Sequence, residues 1–206
     1  MTVKLSGLEP QRRDALLNAA LKEFALKGYD GASTNVIAKE AGISKALMFH
    51  YAGSKPELFL FACDYFTELL EESYYSRLEY TDGDIFNRLR TSYLLQLELL
   101  RQYPWIFEFS GLCAPTGSDE VNKALENRSG RPHTSCCGRM FDGLDDSLFR
   151  EGLDAEKSKQ LILWANIGFK EQILDEIRNA AAGPDFARIS AALDSFLGEL
   201  RNVFYK

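Results

Sequence analysis

Histidine is nearly absent from this 206-residue chain: the two copies are His50 and His133, and cysteine is limited to Cys63, Cys113, Cys136 and Cys137. No pair of cysteines has metal-finger spacing, so no metal site is expected, and in a reducing compartment the four read as free thiols. Cys136 and Cys137 are adjacent and close to His133, which leaves a thiol-based redox switch as one alternative. The preferred reading makes them small apolar residues of a helix. There is no glycine-rich phosphate loop, no HExxH pair, no serine elbow and no carboxylate cluster, so no enzyme and no cofactor are expected. Uninterrupted apolar runs fall short of the ~20 residues of a membrane span, and the first residues, MTVKLSGLEPQRR, lack the apolar core of a signal peptide. The expectation is a cytoplasmic protein with no membrane partner.

What is present suits a packed, helical chain. Hydrophobic residues make up 46% and aromatic residues 12% of the sequence, enough for a substantial core in one or two domains. The net charge of −6 is unevenly spread. Residues 1–60 carry eight Lys/Arg against six Asp/Glu, whereas the remainder carries 16 against 24. Such asymmetry suits one part that faces a polyanion and another that does not.

Ser33 to Lys55, STNVIAKEAGISKALMFHYAGSK, has the residue types of a helix-turn-helix. Thr34 is placed to cap a short helix whose Ile37, Ala38 and Ala41 form an apolar face, and Ala38 is small enough for a close crossing. Gly42 tolerates the positive φ of a tight turn, Ile43 plugs the corner and Ser44 caps the next helix. In that second helix Met48 faces the core. Lys45, Ala46, Phe49 and His50 lie toward another side, the candidate reading surface for the DNA major groove.

The flanking segments extend the pattern. Arg13 to Tyr29 reads as an amphipathic helix with Leu17, Ala20, Leu21 and Phe24 at core spacing and Gly28 at its end. Ser54 and Glu57 are spaced as a capping box, with Pro56 inside the first turn of a fourth helix. The block LLNAALKEFALKGYDGASTNVIAKEAGISKALMFHYAGSKPEL, about a quarter of the chain, resembles the DNA-binding domain of TetR-family transcriptional regulators. The resemblance implies an all-α protein: a helix-turn-helix DNA-binding domain over residues 1–53 and an effector-binding and dimerisation domain over residues 54–206. It also implies DNA contacts from Thr34, Ser44, Lys45, Ala46, Leu47, Phe49, His50, Tyr51 and Lys55.

This chain departs from the family pattern in places. Phe49 stands where a tyrosine is usual, which removes a phosphate-binding hydroxyl and leaves packing or a thymine methyl as the contact. Ala52, followed by Gly53, replaces a bulky aromatic. With Ala46 and Leu47 apolar, Lys45 is the evident polar base reader, and sequence preference is expected to lean on DNA shape.

Beyond residue 55 the pattern is helical throughout. Pro56 to Ser73 is apolar nearly all round, Ile85 to Tyr103 carries one apolar stripe, and Asp119 to Arg128 and Thr134 to Phe149 read as further helices. Asp154 caps a helix that runs to about Ala182, and Phe186 to Phe204 forms the last. Its wide stripe of Ile189, Leu193, Phe196, Leu200 and Val203, with Gly168 as a crossing point, fits a four-helix homodimer contact through the last two helices. The family layout also implies a cavity for a small apolar or amphipathic effector. The candidate lining is Phe66, Trp105, Phe107, Phe109, Cys113, Met140, Trp164 and Phe169. The combined expectation is a ligand-responsive regulator, a repressor, on a palindromic DNA operator. The alternative in another class is a helical ligand carrier or enzyme on the same scaffold that binds no DNA.

Overall fold

The computed structural model describes residues 5–78, 80–110, 116–128, 136–180 and 183–206, which hold ten α-helices, three short 3-10 turns and no strand. Among the described residues no helix is long and apolar enough to cross a membrane. The helices are α1 (Pro10–Gly31), α2 (Thr34–Glu40), α3 (Lys45–Ala52), α4 (Lys55–Ser73), α5 (Ile85–Gln102), α6 (Ile106–Ser110), α7 (Asp119–Arg128), α8 (Cys136–Phe141), α9 (Ala155–Asn179) and α10 (Phe186–Phe204). They fall into two compact units. Residues 1–77 and 98–133 form the first, and residues 78–97 and 134–206 the second, with the break inside α5. The first unit thus takes in α4, α6 and α7 as well as the helix-turn-helix.

In the first unit the apolar stripe of α1 is fully used. Leu16, Ala20, Leu21 and Phe24 have no exposed surface, and they meet Ile37, Met48, Leu58, Phe59 and Val121 from four other helices. Phe59 is the hinge of this packing, with its ring edge-on to Phe24 at 4.9 Å and to Tyr29 at 5.1 Å, and tilted against Phe109 at 6.3 Å. Edge-to-face pairs of this kind add to the burial of large apolar area. α1 starts earlier than its periodicity indicated, at Pro10, where proline suits a first turn. It bends at Gly28, whose φ of 67° and ψ of 171° lie outside the helical range.

The second unit packs α5, α8, α9 and α10 around Ile85, Phe86, Leu89, Ile162 and Leu193. Arg88 is buried at its centre, and its guanidinium donates to the carbonyls of Asp82, Met140 (3.1 Å) and Asp142 (2.7 Å). Carbonyls left without helical partners at the end of α8 are met by that one cation. The chain end is tied in as well, since Tyr205 accepts the Ile85 N–H at the start of α5 and pairs with Phe149 in an isolated bridge.

Two expectations change. The helix anticipated over 134–149 is three pieces: α8 stops at Phe141, Gly143 takes a φ of +63°, and Asp145 caps a 3-10 turn over 146–148. α4 is buried at Leu58, Phe59 and Ala62 only, while Tyr65, Phe66, Leu69 and Leu70 remain half-buried. Its apolar circumference opens in part onto a cavity described below.

The Phe59 contact gives a direct test. Phe59→Ala should destabilise the first unit by about 3–5 kcal/mol, the usual cost of deleting a buried ring. Denaturant titration measures it, and a loss well under ~1 kcal/mol would show that the ring is dispensable.

Candidate nucleic-acid interface

The helix-turn-helix is built from the corner outward. At the end of α2 the carbonyls of Ile37, Ala38 and Lys39 accept the N–H groups of Ala41 (2.9 Å), Ile43 (3.0 Å) and Gly42 (3.2 Å). This closure needs Gly42 at a φ of +68°, a conformation that L side chains disfavour. Ser44 then accepts the Leu47 N–H at 3.1 Å and starts α3. Ile37, Ala38, Met48 and Ala52 are all buried, so the inner sides of α2 and α3 are committed to the core.

The outer side of α3 is what remains. Ser44, Lys45, Ala46 and His50 are exposed, and Leu47, Phe49 and Tyr51 are half-buried at its margins. Lys45 lies 5.8 Å from the Phe49 ring, and His50 packs edge-on to Tyr51 at 5.0 Å. Phe49 therefore supports Lys45 through a cation–π contact. Gly53, at a φ of +79°, closes the helix by donating to the Phe49 carbonyl at 2.9 Å.

Lys55 comes from the next turn of chain. Ser54 accepts the Glu57 N–H at 3.3 Å and donates to the Glu57 carboxylate at 2.9 Å, so the expected capping box takes a side-chain form. Lys55 Nζ donates to the Asp30 carbonyl at 3.2 Å and stands 5.0 Å from the Tyr29 ring. Neither partner carries a negative charge.

Thr34 differs from the expectation. Ser33 is the cap residue of α2 and makes no side-chain cap bond, and Thr34 is the first helical residue. The start of α2 is satisfied from α1, where the buried Glu23 carboxylate accepts the Ser33 N–H at 2.9 Å. A carboxylate at a helix N-terminus complements the helix dipole as well as the orphan donor. Sequence reading missed Glu23; an acid between Leu21 and Phe24 on the buried stripe was the available signal.

The aromatic residues chosen as effector lining do not come together in one unit. Phe66, Trp105, Phe107 and Phe109 belong to the first, where the Phe66 and Phe109 rings pack at 5.0 Å within the core. Met140, Trp164 and Phe169 belong to the second, where Phe169 stacks on Phe196 at 4.2 Å and Trp164 stands 60% exposed on α9. Cys113 and His133 lie outside the described residues, as do the side chains of Cys136 and Cys137. A cavity of about 590 Å³ does open in the first unit, on residues from α1, α4 and the end of α5. Phe61, Tyr65 and Tyr103 line it together with Asp64, Glu68 and Glu72, and its described walls do not include Phe66, Trp105, Phe107, Phe109, Met140, Trp164 or Phe169. Burial, aided by Tyr103, pushes the Tyr65 hydroxyl up to about 12, so it stays a neutral donor.

Comparison with known proteins fits this geometry. Residues 16–61 match the family described as bacterial regulatory proteins, tetR family. The chain is 48% identical over 54 residues to the HTH-type transcriptional regulator BetI of Agrobacterium fabrum, and 44% identical over 54 residues to that of Rhizobium meliloti. These alignments cover 26% of this chain and 26% and 27% of the relatives, so the chain spans about a quarter of the length of the curated relatives it matches. Among solved structures, the ketosteroid transcriptional regulator KstR2 of Mycobacterium tuberculosis superposes with a TM-score of 0.63 at 18% identity, covering all of both chains. A TetR family transcriptional regulator from Chloroflexus aurantiacus gives 0.60 at 17% identity, covering 98% of this chain and 97% of that one. Residues 16–61 thus carry the sequence pattern of that family, and the chain along its length has the fold of these solved structures.

Proposed function

We propose that the protein is a cytoplasmic, ligand-responsive transcriptional repressor that binds a palindromic DNA operator as a homodimer. The observation that carries this reading is the outer face of α3, which holds Lys45, Ala46 and His50 exposed on a helix whose opposite side is locked by Met48 and Ala52. A rigid helix with a solvated, partly cationic face is what a major groove admits. In this proposal Lys45 reads a base, Ala46, Leu47 and Phe49 meet thymine methyls, and Thr34, Ser44, His50, Tyr51 and Lys55 hold the backbone. Residues 1–53 serve DNA, and residues 54–206 serve dimerisation and effector binding.

The dimer reading is supported by α9 and α10. Leu161, Trp164 and Ile167 are 49%, 60% and 49% exposed along one side of α9, and Val203 on α10 is 60% exposed. Beyond the adjoining residues and backbone of its own helix, no described atom lies within 4 Å of where a side chain at Gly168 or Gly198 would begin. Large apolar residues exposed in a row call for a partner surface, and a second copy supplies one of the same kind. Leu193, chosen from sequence as a contact residue, is 1% exposed and belongs to the core of its own subunit.

The effector in this reading is a small amphipathic molecule in the 590 Å³ cavity, whose walls offer both rings and carboxylates. α4 is the lever, because Phe61 and Tyr65 face that cavity and Lys55 heads the same helix. An effector can release DNA only by binding the DNA-incompetent arrangement more tightly.

Three outcomes are expected. Lys45→Ala should weaken binding to a selected operator by about 1–3 kcal/mol and leave random DNA nearly unaffected; equal losses on both duplexes, measured by fluorescence anisotropy, would remove Lys45 as a base reader. Trp164→Glu should give a helical monomer in sedimentation, with operator affinity lost, since a dimer presents two recognition helices one helical turn (~34 Å) apart. A stable Trp164→Glu dimer would move the interface elsewhere. Effector and operator should oppose each other by about 1–3 kcal/mol, reciprocally, and calorimetric titration of a bound effector giving one affinity with and without operator would exclude the lever.

A further inference from the structure

Asp30 stands between two elements that the proposed function leaves unconnected. Its carbonyl accepts Lys55 Nζ at 3.2 Å, while its carboxylate accepts the backbone N–H of Gly117 at 2.8 Å. The carboxylate, the one group of this residue able to neutralise a lysine, is thus turned toward the chain that precedes α7. Beside it the side chains of Tyr29 and Ser118 are hydrogen-bonded, and the Lys55 ammonium rests on the Tyr29 ring.

Residues 116–118 are in turn bound to α7. Asn122 accepts the Thr116 N–H at 2.8 Å and donates to the Thr116 carbonyl at 2.8 Å, and the Ser118 hydroxyl accepts the Val121 N–H at 3.4 Å. Val121 is fully buried in the core of the first unit. A shift of α7 therefore carries Gly117 with it. The fit at Gly117 is close: a Cβ there would meet Asp30 Oδ1 at 2.9 Å.

We propose that Asp30 is a positioning residue that makes the charge of Lys55 available to DNA only while Gly117 holds its carboxylate. With the Gly117 N–H in place, Lys55 has a neutral carbonyl and a ring as partners and keeps its full charge for a phosphate. When residues 116–118 withdraw, the freed carboxylate pairs with Lys55 and competes with the phosphate for the same ammonium. A carbonyl contact orients a cation, whereas a carboxylate cancels it. This inference rests on the DNA-binding reading of Lys55 and adds to it a route from α7 to the DNA face that does not pass through the α4 cavity.

The test uses the full-length chain in three forms: wild type, Gly117→Ala, and Gly117→Ala combined with Asp30→Asn. The added methyl displaces the carboxylate, and the amide side chain cannot neutralise Lys55. Affinity is read on mixed-sequence duplex DNA at several salt concentrations, and Lys55 availability is read without DNA from its rate of acylation by an amine reagent, located by mass spectrometry. Gly117→Ala should lose roughly two- to fivefold in affinity per chain, the range of an exposed ion pair. It should flatten the slope of log affinity against log salt by about one unit per chain and slow Lys55 acylation. The double variant should restore all three values. Acylation unchanged in Gly117→Ala overturns the proposal, and so does a double variant as weak and as slow as the single one. If acylation follows Asp30 but the wild-type chain ignores the duplex, the carboxylate switch is upheld and the DNA-binding reading falls.

Discussion

The geometry of the candidate DNA face depends on one packing constraint, the burial of Phe59 of α4 between Phe24 and Tyr29 of α1. Both recognition elements hang from this contact. α2 and α3 are fixed to α1 through Ile37 and Met48, and Lys55 reaches the end of α1 because Phe59, one turn further on, seats α4 against Tyr29. Edge-to-face rings resist both sliding and rotation, which a smooth aliphatic contact would permit. A recognition helix must hold its side chains to a fraction of a hydrogen-bond length, and an aromatic wedge provides that stiffness at little conformational cost.

Capping in this region is carried out by neighbours as much as by the helices themselves. Glu23 closes the start of α2 from α1, Ser44 and Ser54 close α3 and α4 locally, and Gly42 and Gly53 turn the chain at the ends of α2 and α3.

Much of this was legible in the sequence because it is local. Gly42, Ser44 and the Ile37/Met48 spacing specify the corner within fifteen residues, and the breaker after α9 and the stripe of α10 gave Phe186–Phe204 to the residue. Contacts across long separations were not legible. Glu23 to Ser33, Asp30 to Gly117 and the buried Arg88 depend on where helices cross, which periodicity does not encode. The aromatic residues show the same limit. Phe169 and Trp164 both carry large rings on one helix, yet one stacks on Phe196 and the other faces outward, and the identity of the residue does not tell which.

Charge completes the argument for how an acidic chain can approach DNA. A net charge of −6 opposes association only over distances that salt leaves unscreened, about 8 Å at physiological ionic strength. Within that distance of a phosphate, what counts is whether each nearby lysine is already neutralised. Lys22 is paired with Glu40 and contributes little, whereas Lys45 rests on Phe49 and Lys55 on Tyr29 and a carbonyl. Aromatic faces and carbonyls hold a cation in place without cancelling it. On the proposed DNA-binding reading, these two cations give a modest electrostatic attraction, and discrimination would then come from groove shape and methyl contacts with α3 more than from charge.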